Sequence, residues 1–205
     1  TVIVESGMIK GKIEVTAELV IKSGTFTKEI ELVSKTATVA GPAGLNVTTN
    51  IADHKVVYEN GVYSVVAKIY VAEVNGVKYE SIQAAVDAAQ SGDTIVILKD
   101  HEIVWNGNTF IDGTMAAMVV VANNTVTIDL NGFDLTVDAN KMTQDLYAVF
   151  AADENGHLTL MDSIGGGSVT ATGVAYAKSG TTAYCFMMAY EPGTSLTVES
   201  GEYTM

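Results

Sequence analysis

Four aspartates in the second half of the chain, Asp129, Asp134, Asp138 and Asp162, come nearest in type and spacing to doing chemistry. Glycoside hydrolysis needs two carboxylates facing one cleft, one as acid and one as base or nucleophile. Strands stacked in successive layers could project all four from one face. Each aspartate, however, sits at a strand end beside Gly, Asn or Ser, in "IDLNGFDLTVDAN" and "LMDSIGGG", where Asp accepts bonds from turn amides. The expectation is that they brace corners. Polysaccharide lysis needs a cation against the uronate carboxylate and a strong base, commonly Arg or Lys near calcium. The chain has no Arg, and Lys141 and Lys178 are the only lysines after Lys99.

The remaining reactive residues are scattered. His54, His101 and His157 are far apart, and none stands at metal-ligand spacing from another. The glycines at 165–167 lack the Lys-Ser/Thr and the following helix of a phosphate loop, and read as a tight corner. Neither an EF-hand nor a nonapeptide calcium repeat occurs. Cys185, the single cysteine, lies in apolar "AYCFMMAY" and is expected to be a buried, inert thiol. No catalytic residue, cofactor or metal is assigned. Trp105, Phe110, Tyr147, Phe150, Tyr176, Tyr184, Phe186 and Tyr190 fall in or beside predicted loops. Exposed, such rings stack on sugars; packed, they staple loops. Trp105, Phe110 and Tyr147, in "WNGNTFIDGTMAAM" and "VDANKMTQDLYAVF" or beside them, are the candidate glycan contacts.

Composition narrows the function classes. With 24 Asp plus Glu against 11 basic residues, the net charge is −13. That balance argues against nucleic acid and repels anionic lipid and acidic glycans. Val and Thr make about a quarter of the chain, a β-rich bias. No apolar run is long enough to cross a membrane as a helix. No signal peptide is recognisable, so a chain opening on Thr1 reads as processed or as an excerpt.

The elements that would position these residues are mostly short strands. One segment reads as helix: "YESIQAAVDAAQSGD" places Ile82, Ala85, Val86 and Ala89 on one stripe, with Ser81 as N-cap and Gly92 at C′. The strand "DTIVILKD" follows. Elsewhere one motif recurs, a short strand, a polar residue, a Ser-Gly or Asn-Gly corner and another strand. It appears in "VTIDLNGFDLTV", "LTLMDSIGGGSVTATG", "LTVESGEYT", "IVESGMIKG" and "LVIKSGTFT". A single Asn-Gly between alternating strands signals a hairpin. Five such corners instead predict a coil that turns the same corner once per layer. The intervals from Val126 to Leu158 to Leu196 suit solenoid passes of roughly 20 to 25 residues carrying one loop each. Between Lys28 and Val74 the repeat stops. "AGPAGLNVTTN" reads as a loop, "KVVYENGVYSVV" as a hairpin, and "VAEVNGVKYE" as a smaller hairpin.

"VNGVKYESIQAAVDAAQSGDTIVILKD" resembles the opening of pectin-lyase-like right-handed β-helix modules in large bacterial surface proteins, where a short helix plugs the coil. "TVTIDLNGFDLTV" and "LTLMDSIGGGSVTATG" are similar to the early rungs of that family, and "LVIKSGTFT…YENGVYSVV" to its terminal rung and hairpin. The resemblance implies an all-β fold, a right-handed parallel β-helix with one short capping helix and a β-hairpin connector. "YESIQAAVDAA" also resembles pectin methylesterases, but their paired Asp, Gln and Arg have no counterpart here. The order departs from the family. Residues 1–31 read as terminal rungs that complete a neighbouring module or subunit, 32–73 as loop and hairpin connector, and 74–205 as plug helix and early rungs. The expected function is a non-enzymatic, extracellular, structural module of a bacterial cell surface, stacked head-to-tail with itself or with adjacent modules. A glycan-binding adhesin is the alternative, and a polysaccharide-active enzyme comes third. Val2, Ile3, Val4, Ile9, Ile13, Val15, Leu19, Ile21, Leu196, Val198, Tyr203 and Met205 would form the assembly interface.

Overall fold

Pairing between strands, more than alternation within any one of them, organises the protein. The computed structural model describes residues 1–142, 145–173 and 185–205, and the chain forms two compact units, Thr1–Ile69 and Tyr70–Met205. Both are mostly β, built on parallel sheets.

In the first unit, β1 (Val2–Val4), β2 (Met8–Ile9) and β3 (Ile13–Val15) make one pass across three sheets. A second pass follows with β4 (Glu18–Ile21), β5 (Thr25–Phe26) and β6 (Ile30–Leu32), and a third with β7 (Thr38–Ala40) and β8 (Val47–Thr48). Each pass lies parallel on the last, Val2 opposite Leu19, Met8 opposite Thr25 and Ile13 opposite Ile30. Val39 then continues the Leu19 column and Val47 the Ile30 column. Because side chains alternate between sheet faces, this register sends Leu19, Ile21 and Val39 inward, where all are buried. The hairpin of β9 (His54–Glu59) and β10 (Val62–Ala67) pairs antiparallel with β7 and covers that edge. Asn60 and Gly61, at φ of 50° and 82°, supply the left-handed pair its tight turn requires.

Residues 32–73, expected as a connector, therefore carry two more strands of the same parallel sheets before the hairpin. Strands of two or three residues are too short to show alternation, and "AGPAGLNVTTN" hides β8 behind its Pro and Gly. Tyr63 holds the loop down, its hydroxyl donating to Pro42 O at 3.0 Å and accepting from Leu45 N at 2.9 Å.

The second unit opens with an antiparallel hairpin, β11 (Ala72–Val74) and β12 (Val77–Tyr79), and helix α1 (Ile82–Ala88). Ser81 caps the helix by accepting the Ala84 N–H, and Ile82, Ala85 and Val86 are its buried face. The helix ends at an extended Ala89 rather than at Gly92. Asp93 draws the chain away by accepting the Gln90 N–H at 2.7 Å, and Gly92 (φ 93°) serves the turn into the next strand.

Four passes follow. The first holds β13 (Asp93–Ile97), β14 (His101–Glu102), β15 (Phe110–Ile111) and β16 (Met115–Ala122). The second holds β17 (Thr125–Asp129), β18 (Leu135–Asp138) and β19 (Leu146–Asp153), the third β20 (His157–Met161), β21 (Ser168–Thr172) and β22 (Cys185–Ala189). The fourth holds β23 (Ser195–Val198) and β24 (Glu202–Thr204). The parallel orders β13-β17-β20-β23, β14-β18-β21-β24 and β16-β19-β22 show three sheets visited in constant sequence. Val126, Leu158 and Leu196 stand opposite one another, as do Leu135, Val169 and Tyr203. Asn131 and Gly132 have the dihedrals of a hairpin turn, φ 51° and 79°, yet β17 and β18 belong to different sheets. The Asn-Gly is a corner.

The third sheet departs from alternation. Residues 116–121 of β16 are all buried because its outer face carries a second cluster of Ile111, Ala117, Val120, Ala148 and Ala151. Its edge beside the helix is also satisfied. The Gln83 amide donates to Val120 O at 2.9 Å, and its carbonyl accepts Val120 N–H at 2.8 Å. Gln83 thus replaces a missing strand, which is how a short helix can close a sheet end.

Candidate functional site

The four aspartates are committed to backbone amides. Asp162 is buried, with Oδ1 accepting Gly132 N–H at 2.7 Å and Oδ2 accepting Gly167 N–H at 2.7 Å. Burial by itself would raise its pKa, but the amides of Gly167, Gly132, Gly165 and Ile164 hold it below the ordinary carboxylate value. Asp129 accepts from Asn131 N and Ser163 N, both at 2.9 Å. Asp134 accepts from the amide and hydroxyl of Ser168, and Asp138 from the amide of Asn140. Asp129, Asp134 and Asp162 each reach across to a neighbouring pass, so they tie passes together at the corners. This is the corner-bracing chemistry that their Gly and Asn neighbours indicate. Among the described residues, no group of three or more His, Cys, Asp or Glu comes together as a metal site.

The histidines sit apart. His54 Nδ1 meets Ala52 O at 2.7 Å, and His157 Nδ1 meets Ser195 Oγ at 2.8 Å across an in-register pair. Burial and the Lys99 charge lower the His101 pKa, against an opposing pull from Glu102. Cys185 is half-buried rather than fully enclosed, and burial raises its thiol pKa, disfavouring the reactive thiolate.

The aromatics divide. Trp105 is half-buried, its indole N–H donating to Thr109 O at 3.1 Å and its ring edge-on to Phe110 at 5.6 Å. Trp105 borders a cleft of about 230 Å³ with Glu102, Asn106, Asp138 and Lys141, where Lys141 is ion-paired to Glu102. Phe110 borders a second cleft of about 470 Å³ with Gln83, Asp87, Asn108 and Asn124. Tyr147 lines neither and is half-buried on β19. Phe150 is fully buried, Phe186 packs between it and Tyr203, and Tyr190 reaches Asp112 Oδ2 at 3.4 Å. Tyr176, Tyr184 and Lys178 lie outside the described residues.

The sheet edges carry the residues assigned to assembly. Among the described residues β1, β2 and β3 each border a sheet of the first unit, and β22, β23 and β24 each border a sheet of the second. Val2 and Ile3 are 63% and 53% exposed, and Val198 and Met205 are 48% and 58% exposed. Val4, Ile9, Ile13, Leu196 and Tyr203 are half-buried. Leu19 and Ile21 differ from the expectation. They lie on β4, which is paired on both sides by β1 and β7, so they are interior core and not interface. Val15 is on an edge strand but already buried. A cleft of about 190 Å³ opens at this edge between Val2, Ile13, Val15, Ala17 and Leu19.

Sequence reasoning missed the corner serines. Ser23 Oγ donates to Glu5 O at 2.6 Å, and Ser200 Oγ to Asp162 O at 3.2 Å, each bonding back to the preceding pass. The repeated Ser-Gly was the available signal. No helix among the described residues is long and apolar enough to cross a membrane. Comparison with protein-family models, with curated proteins and with solved structures finds no match.

Proposed function

We propose that this chain is a non-enzymatic structural module of a bacterial cell surface, in which each unit is a pectin-lyase-like right-handed parallel β-helix. Its open sheet edges are completed head-to-tail by a second copy or by an adjoining module, building a fibre or stalk. One observation carries the reading. In each unit one sheet is continued at one edge by an antiparallel hairpin, β9–β10 on β7 or β11–β12 on β13, while the opposite edge strands of those sheets, β1 and β23, expose Val2, Ile3 and Val198. Edge strands of this kind template pairing with another chain unless charge, Pro or a covering element blocks them. The commitment of the corner aspartates to amides favours a structural role over hydrolysis.

Sedimentation velocity across a concentration range tests this. Mass should grow with concentration for the unmodified chain, while Val2→Lys and Val198→Lys each remain monomeric with unchanged circular dichroism. An unmodified chain that stays monomeric throughout would refute self-stacking.

The cleft bordered by Trp105 favours a second reading, a glycan-binding adhesin module. Its ring, two acidic groups and an amide are the groups that receive a neutral sugar. On a glycan array, binding that disappears with Trp105→Ala would support it, and an empty array would end it.

A further inference from the structure

The two open edges match over two of their three sheets, and the geometry points to one register for the joint between copies. This inference rests on the stacking proposed above and names how the second copy sits. We assign β23 of one copy to lie parallel on β1 of the next, with Leu196 opposite Val2 and Val198 opposite Val4. In the adjacent sheet β24 lies on β2, with Tyr203 opposite Ile9.

Three observations select this register. First, the inward columns meet. Leu196 and Val198 continue columns whose previous members, Leu158 and Leu160, are buried, and Val2 and Val4 lead into buried Leu19 and Ile21. A slip of one residue would instead drive Thr197 and Glu199 into the apolar column. Second, the corners match in length and conformation. One shift along the sequence superposes both strand pairs, because Glu-Ser-Gly separates β1 from β2 as it separates β23 from β24. Gly7, Gly24 and Gly201, the glycines of three such corners, share a left-handed backbone at φ of 124°, 138° and 103°. Third, Ser6 occupies the position of Ser23 and Ser200, whose hydroxyls bond back to the preceding pass. In the joint, Ser6 would do the same to the corner carbonyls of the other copy.

The register also sets the electrostatics. It places Glu199 beside Glu5, a like-charge pair in one column, and Glu5 is already bridged to Lys22 at 2.9 Å. Lys22 therefore offsets part of the repulsion. Glu199→Lys should convert the pair to an attractive one and lower the concentration for half-assembly roughly 3- to 10-fold.

The test mixes two single-cysteine proteins, both in a Cys185→Ala background, under mild oxidation. Strands paired in register bring Cα atoms about 4.8 Å apart, within disulfide range. Ile3→Cys with Thr197→Cys should give a disulfide dimer, and Ile3→Cys with Ser195→Cys or Glu199→Cys markedly less. A dimer favouring Ser195→Cys or Glu199→Cys would overturn the register and leave stacking intact. A dimer of Ile3→Cys with itself would overturn the head-to-tail arrangement. No disulfide in any mixture, together with monomers in sedimentation, would overturn the register and stacking alike.

Discussion

At the scale of single residues, chemistry-bearing side chains are used for architecture. Asp162 shows it most clearly, since both of its oxygens are taken by amides of Gly132 and Gly167. Its replacement by Ala would leave the buried Gly167 amide unpaired, a loss of about 1–3 kcal/mol of stability measurable by chemical denaturation. The pH dependence follows from the depressed pKa. A carboxylate held below its unfolded value adds stability above that value, and the contribution is lost as pH falls through the folded pKa. The melting temperature of Asp162→Asn should accordingly fall less than that of the unmodified chain between about pH 5 and about pH 2. An equal fall in both would show that other carboxylates set the acid limit. The corner role of these aspartates was legible from their Gly and Asn neighbours. The corner serines recur as Ser-Gly in the sequence, but that their hydroxyls reach across to the preceding pass is shown only by the folded stacking.

At the scale of elements, what could be read from the sequence depended on strand length and on how many faces are buried. The helical stripe from Ile82 to Ala89 and the column of Val126, Leu158 and Leu196 were legible because each repeats one inward position. Strands β7 and β8 are too short to alternate, and β16 is buried on both faces, so neither shows the period of two. The contact of Gln83 with Val120 joins residues distant in sequence, and only the folded pairing reveals it. Gln83→Leu keeps helix propensity but strands the Val120 amide and carbonyl, and thermal unfolding should show a loss of about 1–3 kcal/mol. Gly156 gives a second test. A Cβ there would lie 2.0 Å from Val121 O, a backbone atom that cannot step aside. Gly156→Ala should cost about 1–3 kcal/mol through forced backbone shifts. Gly11→Ala, which meets nothing within 4 Å, should change stability little.

At the scale of the whole molecule, an acidic, cysteine-poor β protein is proposed to stack on itself through sheet edges that expose Val2, Ile3 and Val198. Such stacking is heterologous, since two different surfaces meet, and a heterologous contact that does not close makes filaments. The proposed stacking would be driven by burial of Val2 and Val198 together with new backbone pairing along two sheets. The net charge of −13 would oppose it by mutual repulsion. Raising salt should therefore promote assembly, the opposite of an interface held by ion pairs, and light scattering against ionic strength would show the sign. The measurement that bears most directly on the central claim is negative-stain electron microscopy of the purified 205-residue chain at several concentrations. Head-to-tail stacking predicts unbranched filaments with one axial repeat per subunit, lengthening with concentration and absent for Val198→Lys. Discrete monomers at every concentration would contradict it.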